Sequence, residues 1–319
     1  MAQLVKLLDY ISRYENDLTR YPTQYIRLKK YQWERMKIQW ENGLDHSAWN
    51  QKPIDPEPEE EKRFASLFRL FSLRKNLVTE AAESIKVESD EEQDDFDFSP
   101  NIIYNPSTIE QLRKLYLDQL FHFQIKWASS TLMDKSKVDP RYMRDSLLRN
   151  FTLQLPDNYL ILYYPILKLK NASVDLDILI ITPVQCMCIK VLEDEDIAAF
   201  IGSGDRFWIK KVGETETKFL NPLIGLDRME KIVGSIFKGK GLEFPTRKYL
   251  LSRNGYIDYP DTSFDVESID RRSYDKWFSK LQKSSSPMKS VQFKAAQAIL
   301  DLGQTTAMSR LFEVAEDEV

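Results

Sequence analysis

Leu4, Leu7, Leu8, Ile11, Tyr14 and Leu18 recur at spacings of three and four, a period that predicts an amphipathic helix over 3–20. Pro22 interrupts it. The period restarts over 23–42 with Ile26, Trp33, Met36 and Trp40, and Gly43 stops it, so the N-terminus reads as a helical hairpin. A third helix is predicted over 62–75, between a Pro-punctuated acidic stretch at 53–61 and the acidic run 88–97, whose like charges repel. Ser107-Thr108-Ile109-Glu110 has the spacing of a capping box, and Ile109, Leu112, Tyr116, Leu120, Phe123 and Trp127 lie on one face of the helix behind it. A short helix is expected near 141–150.

Beyond that point the period changes to two. Strands are predicted over 159–167, 174–182, 187–192 and 207–211, rich in Ile, Leu, Tyr and Val. Asn221-Pro222 starts a helix, with Asn as cap and Pro at the first helical position. A strand over 248–252, a turn at Asn254-Gly255 and a helix over 274–283 follow. Ser284–Pro287 separates a final amphipathic helix, 291–302, from a polar tail. The resulting organisation is a helical region at 1–75, an acidic linker at 76–106, a connecting helix within 107–139, an α/β domain at 140–285, and a C-terminal helix with its tail at 286–319.

Composition narrows the function only a little. At 319 residues the chain can bury a sizeable core, and its net charge of −4 means that affinity for nucleic acid must come from a local patch. Cys186 and Cys188 offer no disulfide framework and fit a reducing compartment. No run of 18 apolar residues and no signal-peptide pattern is present, so the expected location is the cytoplasm.

The candidate chemistry centres on V-D-L-D-I-L-I-I-T-P-V-Q-C-M-C-I-K-V-L at 174–192. A turn at Pro183-Val184 pairs Asp177 with Lys190 and Asp175 with Leu192, and side-chain alternation puts all four on one side of the sheet. Hard oxygen ligands converging from neighbouring strands are what a hydrolytic Mg²⁺ or Mn²⁺ site needs, with a nearby lysine to orient water or stabilise charge on phosphate. Read alone, the two aspartates are solvent-side residues of an edge hairpin.

This hairpin, the Leu155-Pro156 lead-in, the Thr-Pro turn, Trp208 after a Gly-rich turn and Asn221-Pro222 resemble the nuclease-related domain (NERD) family over about 140–285. The resemblance implies a restriction-endonuclease-like fold, a mixed sheet flanked by helices, here behind an all-helical N-terminal region. It also implies Mg²⁺-dependent cleavage of nucleic acid. Asp177 matches the family's metal-binding aspartate, Asp175 stands where the family has glutamate, and Asp145 on the preceding helix is a looser match to an acidic residue. Lys190 occupies the position of the metal-binding glutamate and Leu192 that of the lysine, and Gly225 stands where glutamine is usual. An ammonium about 4 Å from a unit charge interacts by roughly 4 kcal/mol at an effective dielectric of 20, and about twice that with a divalent ion. A Lys190–Asp177 pair in place of the metal is therefore expected, with no cofactor. Asp145, Asp175 and Asp177 would hold Mg²⁺ only if the chain is active. Rescue by Glu193 or Glu195 would need a register slip or a bulge.

Other features have bland readings beside sharp ones. Arg27, Lys29, Lys30, Arg35 and Lys37, interleaved with Tyr31, Trp33 and Trp40, could bind nucleic acid, or simply solvate a helix whose tryptophans are buried. The basic, Phe-rich 62–75 could seat in a partner's groove or on an anionic membrane. Cys186-x-Cys188 reads as two core thiols and Gly202–Asp205 as a hairpin turn. His46 and His122 are too few and too scattered for histidine catalysis. The combined expectation is a catalytically degenerate nuclease relative that binds DNA, RNA or a protein docked on the N-terminal helices. The alternatives are a working Mg²⁺-dependent nuclease and an interaction protein without nucleic-acid binding.

Overall fold

The computed structural model describes residues 1–42, 98–131, 134–170, 172–259 and 265–305. The chain divides into two compact units, one of Met1–Trp33 with Ile102–Val319 and one of Glu34–Asn101. The predicted helix at 62–75, the acidic stretches at 53–61 and 88–97, and His46 lie outside the described residues.

The first unit is built on a six-stranded sheet. Its strands, in chain order, are β1 (Gln3–Leu7), β2 (Leu160–Tyr163), β5 (Ile178–Ile181), β6 (Cys186–Val191), β10 (Thr246–Leu251) and β12 (Val266–Ile269), and they lie side by side in that same order. β2, β5 and β6 are antiparallel neighbours, while β1 runs parallel to β2 and β10 runs parallel to both β6 and β12. Two smaller sheets branch from it. One is the hairpin of β3 (Ile166–Leu169) and β4 (Ala172–Asp175). The other is a four-stranded sheet of β7 (Ala198–Ile201), β8 (Phe207–Val212), β9 (Thr215–Leu220) and β11 (Tyr256–Asp258), in the order β11-β7-β8-β9.

Seven helices are described: α1 (Arg20–Glu41), α2 (Ile109–Trp127), α3 (Pro140–Arg144), α4 (Ser146–Gln154), α5 (Pro222–Gly239), α6 (Tyr274–Gln282) and α7 (Ser290–Leu300). One face of the large sheet, with Ile161, Tyr163, Ile178, Ile180, Met187 and Ile189, packs in a single core with Phe121 of α2, Phe151 of α4 and Trp277 of α6. On the opposite side α5 lies against β6 and β10, and α7 against β5. Covered on both faces, the sheet's inner strands are continuous apolar runs rather than alternating ones.

That burial corrects the N-terminal prediction. Residues 3–7 are a strand, not the first turn of a helix, and all five positions are buried. A short apolar run with both faces covered has no readable period, so Leu4, Leu7 and Leu8 matched a helical spacing by coincidence. The Leu4 amide donates to the Gln124 side chain at 2.8 Å, and the Gln124 amide donates to the Ala2 carbonyl and the Tyr25 hydroxyl. The N-terminal segment is thus part of the main core and not an all-helical region or one arm of a helical hairpin. The C-terminal helix is also integral, because the Gln292 side-chain amide donates to the carbonyls of Asn158 and Ile181 at 2.6 and 2.9 Å.

Several local predictions hold. Asn221 caps α5 by accepting from the Leu223 amide at 3.0 Å. The capping pair at α2 is shifted by one residue from the expected box. Thr108 accepts from the Gln111 amide, and Gln111 reaches back to the Ser107 amide. The Gly202–Asp205 segment is the turn between antiparallel β7 and β8, and Cys186 and Cys188 are buried free thiols.

Candidate functional site at the ends of the central strands

Asp177 and Lys190 face each other at the end of the β5–β6 ladder. The register Ile178↔Ile189, Leu179↔Cys188 is the one the sequence predicts, and one step further places residue 177 opposite residue 190. The Lys190 ammonium lies 2.7 Å from an oxygen of Asp177, with the aspartate side chain 19% exposed. Leu192 is buried, its amide bonded to the Leu251 carbonyl at 2.8 Å. Its position therefore supplies packing and no charge.

Asp175 does not join this pair. The expected strand over 174–182 is broken at Leu176, whose amide donates to the Pro165 carbonyl. Asp175 consequently belongs to the β3–β4 hairpin, opposite Ile166, and is exposed. The matching break on the preceding strand is at Tyr164, which has φ of 49°. A left-handed tyrosine is sterically costly and marks a turn that its surroundings impose. Alternation along a continuous strand cannot foresee two coordinated breaks.

Asp145 is a helix cap rather than a free ligand. One carboxylate oxygen accepts from the amides of Leu147 and Leu148 at 2.9 and 3.0 Å, and the other accepts the Tyr163 hydroxyl at 2.6 Å. The sequence reading puts Asp145 inside a single helix near 141–150, but the chain breaks there into α3 and α4 and Asp145 caps the second.

Glu193, which sequence reasoning set aside, and Arg253, which it missed, complete the cluster. Glu193 receives Arg253 in a two-pronged pair, Nε to Oε1 at 2.6 Å and Nη2 to Oε2 at 2.7 Å, and also accepts the Arg253 amide at 3.1 Å. Arg253 further donates to the Ser146 hydroxyl at 3.2 Å, linking the end of β10 to the start of α4. Burial opposes the Arg253 charge, but the Glu193 carboxylate outweighs it and raises the guanidinium pKa. Tyr164 is pushed up to about 12, first by burial and then by the negative fields of Asp177, Asp145 and Glu193. Asp145 is tied to this end of the sheet directly, through its bond from the hydroxyl of Tyr163, the neighbour of Tyr164. Tyr274, beside Arg253 and Glu193, is also raised to about 12, chiefly by burial, and its buried hydroxyl has no hydrogen-bond partner. The only sequence signal for Arg253 was its place directly after a strand.

The side chains do not fit a divalent metal. Asp177 is neutralised by Lys190, Glu193 by Arg253, and both oxygens of Asp145 are engaged. Among the described residues no group of three His, Cys, Asp or Glu side chains is placed to hold an ion. A second missed cluster lies on the α5 side of the sheet. There the buried ammonium of Lys248 pairs with Asp227 at 2.6 Å, Glu230 at 3.7 Å and Asp265.

The basic set on α1 is split by its surroundings. Lys29 is largely buried and pairs with Asp157 at 2.5 Å, whereas Arg27, Lys30 and Arg35 are exposed. Lys37 pairs with Glu41 one turn on. Trp33 packs on Tyr116 with ring centroids 5.3 Å apart and is half-buried rather than buried. Among the described residues no helix is long and apolar enough to cross a membrane.

With this geometry established, comparison with known proteins adds one partial match. The chain is 36% identical over 124 residues to an RNA 2',3'-cyclic phosphodiesterase of Geobacillus stearothermophilus, an alignment covering 39% of this chain and 36% of that protein. The chain thus spans about a third of the length of the curated relative it matches. No protein-family profile matches the chain. No solved structure matches it either.

Proposed function

We propose that this chain is a nuclease-related protein that binds nucleic acid and in which the Lys190 ammonium replaces the catalytic metal. The observation that carries the reading is the 2.7 Å Lys190–Asp177 pair at the register position where the NERD resemblance puts a metal-binding glutamate. Two further points support it. The succession α4, β2, β5, β6, α5, β10 makes an antiparallel three-stranded segment followed by a helical crossover to a parallel strand. This agrees with the mixed sheet flanked by helices that the resemblance implies. The partial relative is named for an activity on RNA.

That name also favours a second reading, an enzyme acting on RNA phosphodiesters. Its support is the 36% identity over part of the chain. His122 is exposed on α2, so among the described residues acid–base work beside Tyr164 would fall to carboxylates or tyrosine.

The test is a cleavage and binding assay on single- and double-stranded DNA and RNA, including an RNA ending in a 2',3'-cyclic phosphate. It is run with Mg²⁺ or Mn²⁺, with chelator, and with Asp177→Ala. The proposal expects binding without metal-dependent cleavage. Cleavage that needs both metal and Asp177 would overturn it in favour of a working nuclease. Opening of the cyclic phosphate by the wild-type chain would establish the second reading.

A further inference from the structure

Leucine and isoleucine side chains from three separate elements leave an uncovered groove beside α5. Leu169 of β3, Ile224, Ile232 and Ile236 of α5, and Leu302 just after α7 form its apolar walls around about 890 Å³. Five charged side chains also reach it, and three of them are taken. The Asp227 carboxylate is held by Lys248 at 2.6 Å, and Lys240 pairs with Asp301 at 2.9 Å. Glu230, the next acid on α5, turns to Lys248 as well, at 3.7 Å. Arg228 and Lys231 are exposed, and no ion pair holds either among the described residues. The groove is thus apolar in its walls and positive at its rim.

Such a groove suits an amphipathic segment with an acidic side. The chain carries one, joined to the groove itself. Past Leu302 the Gln304 amide donates to the Ile166 carbonyl at 2.8 Å, and residues 306–319 follow beyond the described ones. Their sequence is T-A-M-S-R-L-F-E-V-A-E-D-E-V. Met308, Leu311, Phe312 and Ala315 recur at spacings of three and four, and Glu313, Glu316, Asp317 and Glu318 outnumber Arg310. Phe312 comes ten residues after Leu302, which allows up to about 33 Å of extended chain. Along α5 the groove runs from Ile224 to Gly239, about 22 Å at helical rise. The segment can therefore turn back from β3 and still cover it. A tether this short gives it an effective concentration on the order of millimolar at the groove.

We infer that residues 306–319 seat in this groove, with Leu311 and Phe312 against the apolar walls and the acidic residues that follow beside Arg228 and Lys231. The groove is thereby closed to acidic amphipathic segments of other proteins. This goes beyond the nucleic-acid reading and does not depend on it.

The experiment is disulfide trapping in the full chain, with Phe312→Cys combined with either Ser235→Cys or Ser173→Cys. Both serines are exposed. Ser235 lines the groove, whereas Ser173 lies beside Gln304, at the root of the segment. Cys186 and Cys188 are buried and do not compete. A segment with no preferred place would reach position 173 at least as fast as position 235. The inference expects the bond at position 235 to form roughly ten-fold faster or more. Arg228→Glu with Lys231→Glu should remove that preference, and adding Glu316→Lys with Asp317→Lys should restore it in part. Equal rates at the two positions, or a preference untouched by the charge reversal, would overturn the inference. So would a bond joining two chains at a rate that rises with concentration, which would make a second copy the occupant. If no bond forms although the thiols react with a small disulfide reagent, the segment does not visit the groove and the inference also fails. Because every substituted residue on α5 and β4 is exposed, the variants should keep their melting temperatures, and this is checked alongside.

Discussion

Lys190 holds Asp177 through a 2.7 Å ion pair across the last step of the β5–β6 ladder, and both side chains are mostly shielded from water. A carboxylate in that setting is neutralised by its own chain. Lys190→Met removes the counter-charge and leaves Asp177 only 19% exposed. After allowance for partial solvent screening, urea unfolding at neutral pH should show a loss of about 1–2 kcal/mol. The double variant with Asp177→Asn should recover part of it, giving a coupling of about 1 kcal/mol. Additive effects would show that the pair contributes nothing.

Asp145 is expected to behave as a cap. Asp145→Ala should destabilise by about 1–2 kcal/mol, because two amides at the start of α4 lose their acceptor. Asp145→Asn retains a capping oxygen and should lose much less. A metal ligand would behave otherwise: Asn and Ala would both abolish a Mn²⁺ signal in calorimetry that the wild type displays.

Tyr164 should titrate at about 12 in the folded chain, against about 10 in the unfolded one. The folded state then holds the phenol proton more tightly. Its contribution is fully present below about pH 10 and is lost as pH rises through about 12. Stability should fall across that window, and less steeply in Tyr164→Phe. Burial is the larger cause and the Asp177 charge the second, so Asp177→Asn should move the Tyr164 midpoint down. Tyrosine ring NMR resolves this from the other buried tyrosines, and an unmoved midpoint would separate Tyr164 from the cluster.

The Glu193–Arg253 pair depends on the planar fork of the guanidinium. Arg253→Lys keeps the charge but can make neither the two-pronged contact nor the Ser146 bond in the same geometry. Thermal or urea unfolding should show a loss of roughly 1–2 kcal/mol. A neutral result would mean that the pair is no more than a surface contact.

What the sequence determined by itself is largely local. The Asn221 cap, the Thr182–Gln185 turn and the β5–β6 register follow from side chains that act within a few residues of themselves. The Lys190–Asp177 pairing could be read for the same reason, since a tight turn fixes which residues face each other. The helix-versus-strand choice at Gln3–Leu7 was different. It depended on a partner, β2, more than 150 residues away, and on helices covering both faces, which erase the period-two signal. Asp175 was misplaced because the strand breaks at Leu176, where the Pro165 carbonyl from another turn captures its amide. Glu193 and Arg253 were invisible as a pair, separated by about sixty residues of chain and joined only when parallel β6 and β10 end side by side. Short-range geometry is written in spacing. Which distant strand ends converge, and so which charges meet there, is decided by tertiary packing.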